Sequence, residues 1–415
     1  MRKLLMATTA VVGISLAGAA QAGSTAPISL NIGGYTDFIA GRYHEAPGTT
    51  PTSKRTNGDF ETEYKLNIDA LGKVSNGVEY GANVSLWNGP EASNLWAGGG
   101  STVELNSAYV WLSGVFGKGI FGDAHGATDL IVYAPTVGEG QIDGRYMDFV
   151  SPGTLSRFYA SGIDNTEHGT KVTYYTPKVG TEANKLQAGV SFEPQMYNYG
   201  SGVDKVIGTT NPSGIIGSSA QSPYKNRVDV GAKYWGNFRP VNVVVSLNST
   251  TASAGATGLT NPAMFANAPT GTGGFMSFTT FGAGTQVSFT QMPGLVLGMG
   301  VQNLGHYGAV HGQGKNQDLW TAGAKYEFDK VGVAANFLTG RKYDNLLANG
   351  LMSARYTTTN TNYVSSFDSY GVGATYTWFP GLTTAADATF FSQGVSNIQD
   401  NNDGYVFLMS QKMTF

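Results

Sequence analysis

Cysteine is absent from the 415 residues, so the chain has no disulfide staple and no thiolate with which to hold a metal or attack a substrate. Charge is scarce too, at 13% of residues, and beyond residue 22 no apolar run reaches the roughly 20 residues that a helix needs to cross hydrocarbon. With a mean hydropathy of −0.14 the chain is too polar for a helical membrane protein. Histidine is limited to His44, His125, His168, His306 and His311, all in or beside predicted loops and none at a metal-ligand spacing such as His-x-x-x-His. A barrel phospholipase would need a His beside a nucleophilic Ser on an apolar strand face, and none is placed so. Gly282-Ala-Gly284 and Gly371-Val-Gly373 are not followed by the helix of a dinucleotide loop. Asp400-Asn-Asn-Asp-Gly404 lacks the downstream carboxylate of a calcium loop. No catalytic residue, metal or cofactor is expected.

What the chain does have is glycine, 58 residues of it, and aromatics at 12%. Arg2 and Lys3 precede an apolar run from Leu4 to Leu16 and then Ala20-Gln21-Ala22, the small-x-small form at which a secretory signal is cut. Residues 1–22 read as a cleaved signal peptide and 23–415 as a single domain. An exported chain rich in Gly, Tyr, Phe and Thr is either a secreted β protein or a transmembrane barrel.

Periodicity separates the two. Tyr64, Leu66, Ile68 and Ala70 share one face of a strand and Lys65, Asn67 and Asp69 the other, because successive side chains alternate across a sheet. A turn at 72–77 leads into Val78, Tyr80, Ala82, Val84 and Leu86, alternating with Glu79, Gly81, Asn83 and Ser85. Val228–Tyr234, Trp320–Phe328 and Tyr370–Trp378 repeat the pattern. About sixteen such segments fit the chain, with short links alternating with long ones, as short periplasmic turns alternate with long external loops in bacterial barrels. Trp235, Phe328, Trp378 and Phe379 fall at the short-turn ends, where an interfacial aromatic girdle belongs. The fold expected is all-β: a transmembrane antiparallel β-barrel of 16 strands, apolar outside, with a polar, water-holding lumen rather than a packed core.

Glu63–Trp87 resembles the second hairpin of alphaproteobacterial porins, Ser107–Asp123 resembles the hairpin before their third loop, and Val172–Gly180 the strand after it. Tyr405-Val-Phe-Leu-Met-Ser-Gln-Lys-Met-Thr-Phe415 resembles the closing strand of Gram-negative outer-membrane general porins, whose terminal Phe serves as an assembly signal. The resemblance implies a homotrimer in the cell outer membrane, contacts with membrane lipid and lipopolysaccharide, and handling by the outer-membrane assembly machinery. It also implies passive diffusion of small hydrophilic solutes and ions, with no enzymatic activity and no nucleic-acid partner. A substrate-selective porin for sugars or small acids, or a structural or adhesive barrel, is the alternative.

In that family the third loop folds inward and constricts the pore. Here the long connection is 124–167, with Asp129, Glu139, Asp143, Asp148, Asp164 and Glu167 against Arg145 and Arg157. The basic wall opposite it is assigned to Arg42, Lys65, Lys171, Arg227 and Lys233, with Lys325 and Lys412 also in lumen phase. An acidic loop facing a basic wall makes a transverse field. Lumen acids such as Asp69, Asp229 and Asp387 roughly offset the bases, and the mature chain's acid excess favours weak cation preference.

Overall fold

A strand-rich chain in hydrocarbon must pair every backbone donor and acceptor internally, which means closing the sheet on itself. The computed structural model describes residues 28–45, 57–88, 103–150, 169–196, 224–254, 276–307, 317–343, 364–395 and 402–415. The proposed signal segment lies outside them, as do Arg157, Asp164, Glu167 and the loop at 400–401. The strands are β1 (Ser29–Glu45), β2 (Gly58–Lys73), β3 (Glu79–Trp87), β4 (Glu104–Gly114), β5 (Gly117–Asp123), β6 (Thr170–Tyr175), β7 (Val179–Gly180), β8 (Asn184–Gln195), β9 (Tyr224–Asn237), β10 (Val241–Ala254), β11 (Phe278–Phe289), β12 (Leu295–Gly305), β13 (Gln317–Phe328), β14 (Val331–Tyr343), β15 (Val364–Phe379), β16 (Leu382–Val395) and β17 (Asn402–Thr414).

Each strand pairs antiparallel with its neighbours, and β17 returns to pair with β1 from Tyr35↔Thr414 to Glu45↔Gly404. Two further bonds, Gly34 N–H to the Phe415 carbonyl (2.9 Å) and Phe415 N–H to the Gly34 carbonyl (3.0 Å), extend the seam. β6 and β7 both pair with β8 and form one stave, interrupted at Thr176–Lys178 where Pro177 has no N–H to give the ladder. Seventeen strands therefore make the sixteen staves of a closed barrel.

The burial pattern is inside out. Phe38, Val110, Phe121, Leu247, Phe281 and Met409 are exposed on the outer face, while Asp37, Glu63, Lys171, Glu193, Arg227, Asp229 and Asp387 are buried on the inner one. The lipid face supplies the solvent that a soluble core would otherwise replace. Trp235 departs from the expected girdle. It shares parity with Arg227, Asp229 and Lys233 and faces inward, with Lys178 Nζ 4.8 Å from its ring. Tyr234, set between Leu186 and Val245 in the ladder, takes the lipid-facing position instead.

The lumen is not wholly polar, which corrects the expectation of an interior without a packed core. Ile39, Tyr43, Leu319, Leu338, Phe367, Phe391, Val406 and Leu408 point inward and pack against Ala134, Ile142, Tyr146, Met147, Phe149 and Val150. These wall positions break the alternation because a segment of the chain lies inside the barrel and gives them apolar partners.

Adjacent substitutions on β2 test the two faces. Ile68 is registered between Ile32 and Val84, both lipid-exposed, and Asn67 lies on the opposite face. Ile68→Arg should lower the yield of heat-resistant folded barrel, since an outward Arg costs about 2–4 kcal/mol at the bilayer midplane and less nearer the interface. Asn67→Arg should assemble normally; gel mobility with and without heating reads both.

Candidate functional site

At Asp123 the chain leaves β5 and enters the barrel. A 3-10 turn, Ala127–Leu130, is held by Tyr175 OH donating to the Gly126 carbonyl (2.8 Å) and by Ala127 N–H donating to Ser191 Oγ (3.1 Å). Val132 N–H then donates to Ser246 Oγ on β10 (2.8 Å), Gln286 Nε2 on β11 to the Tyr133 carbonyl (2.8 Å), and Ala134 N–H to Thr321 Oγ1 on β13 (3.3 Å). Across the lumen, Asp387 on β16 accepts from Glu139 N–H (3.2 Å) and Gln141 Nε2 (2.7 Å), while Asn336 Nδ2 on β14 donates to Gln141 Oε1 (2.5 Å). Thr389 donates to the Gly140 carbonyl. Partners drawn from β6 round to β16 can surround one segment only if it lies inside the ring.

Glycines on the wall let that segment lie close. A Cβ at Gly284 would collide with the Val132 carbonyl, and one at Gly373 with the Gln141 side chain. The two Gly-x-Gly stretches noticed in the sequence are thus clearances for the loop.

Two charged clusters flank the segment. Beneath its start, Arg227 is fully buried between Glu193 (3.4 Å) and Asp229 (2.9 Å), and Lys171 lies 3.8 Å from Glu193 while donating to the Ala124 carbonyl at 3.0 Å. Thr250 and Ser191 also donate to Asp229, at 2.6 and 2.9 Å. Burying such charges is tolerable only because each has partners. At the segment's far end, the second 3-10 turn, Arg145–Asp148, carries Arg145 toward β2, where it ion-pairs with Glu63 and with Glu61 at 3.5 Å while also meeting Asp148 of its own turn at 3.1 Å. Tyr35 OH and Trp87 Nε1 donate to the same Glu63. Lys412 on β17 reaches Glu139 at 2.5 Å and lies 4.2 Å over the Tyr35 ring.

A family model described as Gram-negative porin matches residues 7–395. The chain belongs to the Gram-negative porin family. It is accordingly an outer-membrane β-barrel through which small hydrophilic solutes diffuse passively, a channel rather than an enzyme. No curated protein sequence matches this porin. In fold it is similar to the outer membrane channel DcaP of Acinetobacter baumannii, with TM-score 0.56 and 13% identity over 94% of this chain and 97% of that one. It is also similar to an anion-selective porin from Comamonas acidovorans (TM-score 0.52, 12% identity, 94% and 100% covered). The trimer form of OmpT from Vibrio cholerae gives TM-score 0.52 at 11% identity, with 93% and 99% covered. At these identities the likeness is one of fold.

The porin's charges are arranged differently from the acidic loop and basic wall read from its sequence. Arg42 is on the outer face, exposed and in register with lipid-facing Phe407, so it is no part of the lumen wall. The parity of β1 is set by Ile39 and Tyr43, which turn inward to pack on the loop. Lys171 and Arg227 are on the inner face but wholly engaged under the loop, with no surface left for a passing solute. Lys65 is half-buried on the inner face, opposite Tyr35 and Trp87, and Lys233 lies inward, 5.8 Å from the Trp235 ring. Of the loop acids, Glu139 meets Lys412, Asp148 is spent on Arg145, and Asp129 is exposed with its carboxylate 3.7 Å from His125. Asp143 is half-buried beside the Arg145 turn. Not anticipated were the wall acids Asp37, Glu61 and Glu63, nor the pairing of the loop's Arg145 with the last two. The inward parity of Glu61 and Glu63 was readable from Lys65, two and four residues away on β2.

Asp387 is the segment's main fastening on the far wall. Asp387→Ala leaves Glu139 N–H and Gln141 Nε2 without their acceptor, at about 1–3 kcal/mol for each buried donor left unpaired. Single-channel recordings should then show larger and noisier conductance, in a barrel whose heat resistance is retained.

Proposed function

We propose that this porin is a general diffusion channel of the alphaproteobacterial type, narrowed by the segment 124–150 and weakly cation-selective. The observation that carries the sign of selectivity is the balance of inward charge at the segment. Asp37, Glu61, Glu63, Glu139 and Asp148 stand against Arg145 and Lys412 at one end, and Asp123, Glu193 and Asp229 against Lys171 and Arg227 at the other. Acids exceed bases in both groups, and low-dielectric walls focus the resulting field along the aqueous path. Lys65 and Lys233 moderate it, so the preference is weak. The structural neighbour from Comamonas is anion-selective, and the opposite sign here would follow from charges particular to this chain.

The remaining features accord with the family. Residues 1–22 are the cleaved export signal, and the mature barrel assembles as a homotrimer, as one structural neighbour does. Lipid and lipopolysaccharide meet its outer face. Phe415, exposed on the outer face and bonded to Gly34 through its backbone, is the aromatic that the outer-membrane assembly machinery reads. No step in this function is catalytic, and no cofactor or metal takes part.

In a planar bilayer with a salt gradient, the reversal potential should lie modestly on the cation side. Glu61→Lys should move it toward the anion side; a wild-type reversal at the anion limit would refute the assignment. Phe415→Ala should leave the conductance of assembled channels unchanged but reduce the amount of trimer in outer membranes, read by immunoblot.

A further inference from the structure

Resting on the reading of 124–150 as the constriction, we propose that the inner wall beside it holds a binding site for organic cations that carry a guanidinium or ammonium group. Arg145 and Lys412 are tethered occupants of this site, which solutes displace. Its frame is the row Lys412–Asp37–Glu63 across β17, β1 and β2, set by the ladder, with Glu61 one inward step away and Glu139 facing it from the loop.

The recognition chemistry is already displayed by the chain's own cations. A guanidinium sits against Glu61 and Glu63, the planar fork that carboxylates accept in pairs. An ammonium sits over the Tyr35 ring and against Glu139, joining a cation–π contact to an ion pair. Glu63 is oriented by Tyr35 OH and Trp87 Nε1, so the carboxylate is fixed before any solute arrives.

Asp37 is the observation that turns an acidic cluster into a site. It is fully buried on the inner face between Glu63 and Lys412, and among the described residues neither of its oxygens accepts a hydrogen bond. Two tethered cations thus face four carboxylates, one of which has no hydrogen-bond donor among the described residues. Glu61, Glu139 and Lys412 retain partial exposure, with side chains 22%, 28% and 29% accessible, so the front of the site is open to the aqueous path.

The probe is agmatine, which carries a guanidinium and an ammonium on one short chain, added to the whole porin in a planar bilayer. Agmatine should block current saturably, more strongly than magnesium at equal concentration, whereas glutamate should not. High salt should weaken the block. Asp37→Asn, which keeps the side chain's shape, should weaken it about tenfold. Arg145→Gln removes a tethered competitor and should strengthen it about tenfold. If Arg145→Gln fails to assemble, the wild-type block and Asp37→Asn decide alone. Full conductance with cation-side reversal but no preference for agmatine over magnesium would overturn the site and leave the channel intact. A folded barrel that conducts nothing would overturn the channel reading and the site with it.

Discussion

Everything in this structure follows from the inability of hydrocarbon to hydrogen-bond. A sheet inserted there cannot keep an edge, so β17 must return to β1, and Phe415 and Gly34 complete the seam. Once closed, the barrel fixes which face each residue takes: alternation sends Phe38 and Leu247 to lipid and Asp37 and Asp229 inward. The inner wall then carries polar groups that need partners, and the segment after β5 provides them. Ser191, Ser246, Thr321, Asn336, Asp387 and Thr389 are wall groups that take their bonds from one piece of chain laid around the lumen.

The loop and the wall are therefore one packed unit. The loop's Ile142, Tyr146 and Phe149 meet inward Ile39, Leu338 and Phe391, giving a small hydrophobic core where the barrel alone would hold water. The buried ions Lys171, Glu193, Arg227 and Asp229 sit under the loop's root, and Asp387 with Gln141 ties its far side. The segment is thus fastened at both ends against the inner wall, and its charges are fixed there by the same contacts.

The staves were legible in the sequence because alternation is a local signal: segments such as 317–328 and 382–393 reappear as β13 and β16 nearly residue for residue. What failed depended on contacts that alternation cannot express. The alternation of β1 suggests a lumen phase for Arg42, but Ile39 and Tyr43 have an apolar partner inside and so reverse the expected faces. Trp235 lies at a short-turn end, which suggests the girdle, although its parity with Lys233 places it inward. Lys171 and Arg227 faced the right way, yet nothing local signals that Glu193 and Asp229, on neighbouring strands, would consume them. Arg145 reads in the sequence as one more loop charge, but its partners Glu61 and Glu63 lie more than eighty residues earlier and become visible only once β2 curves round to meet the loop.

The whole arrangement turns on residues 124–150 lying against the inner wall. The natural absence of cysteine makes a direct test simple. A Cβ at Gly140 would fall against Asp387, so Gly140→Cys with Asp387→Cys should oxidise to an intramolecular disulfide, seen as a shift in the mobility of the unfolded monomer. The expected product is a crosslinked porin that still assembles and conducts. Two thiols that stay unpaired under oxidation, each open to modification in a correctly folded barrel, would contradict it.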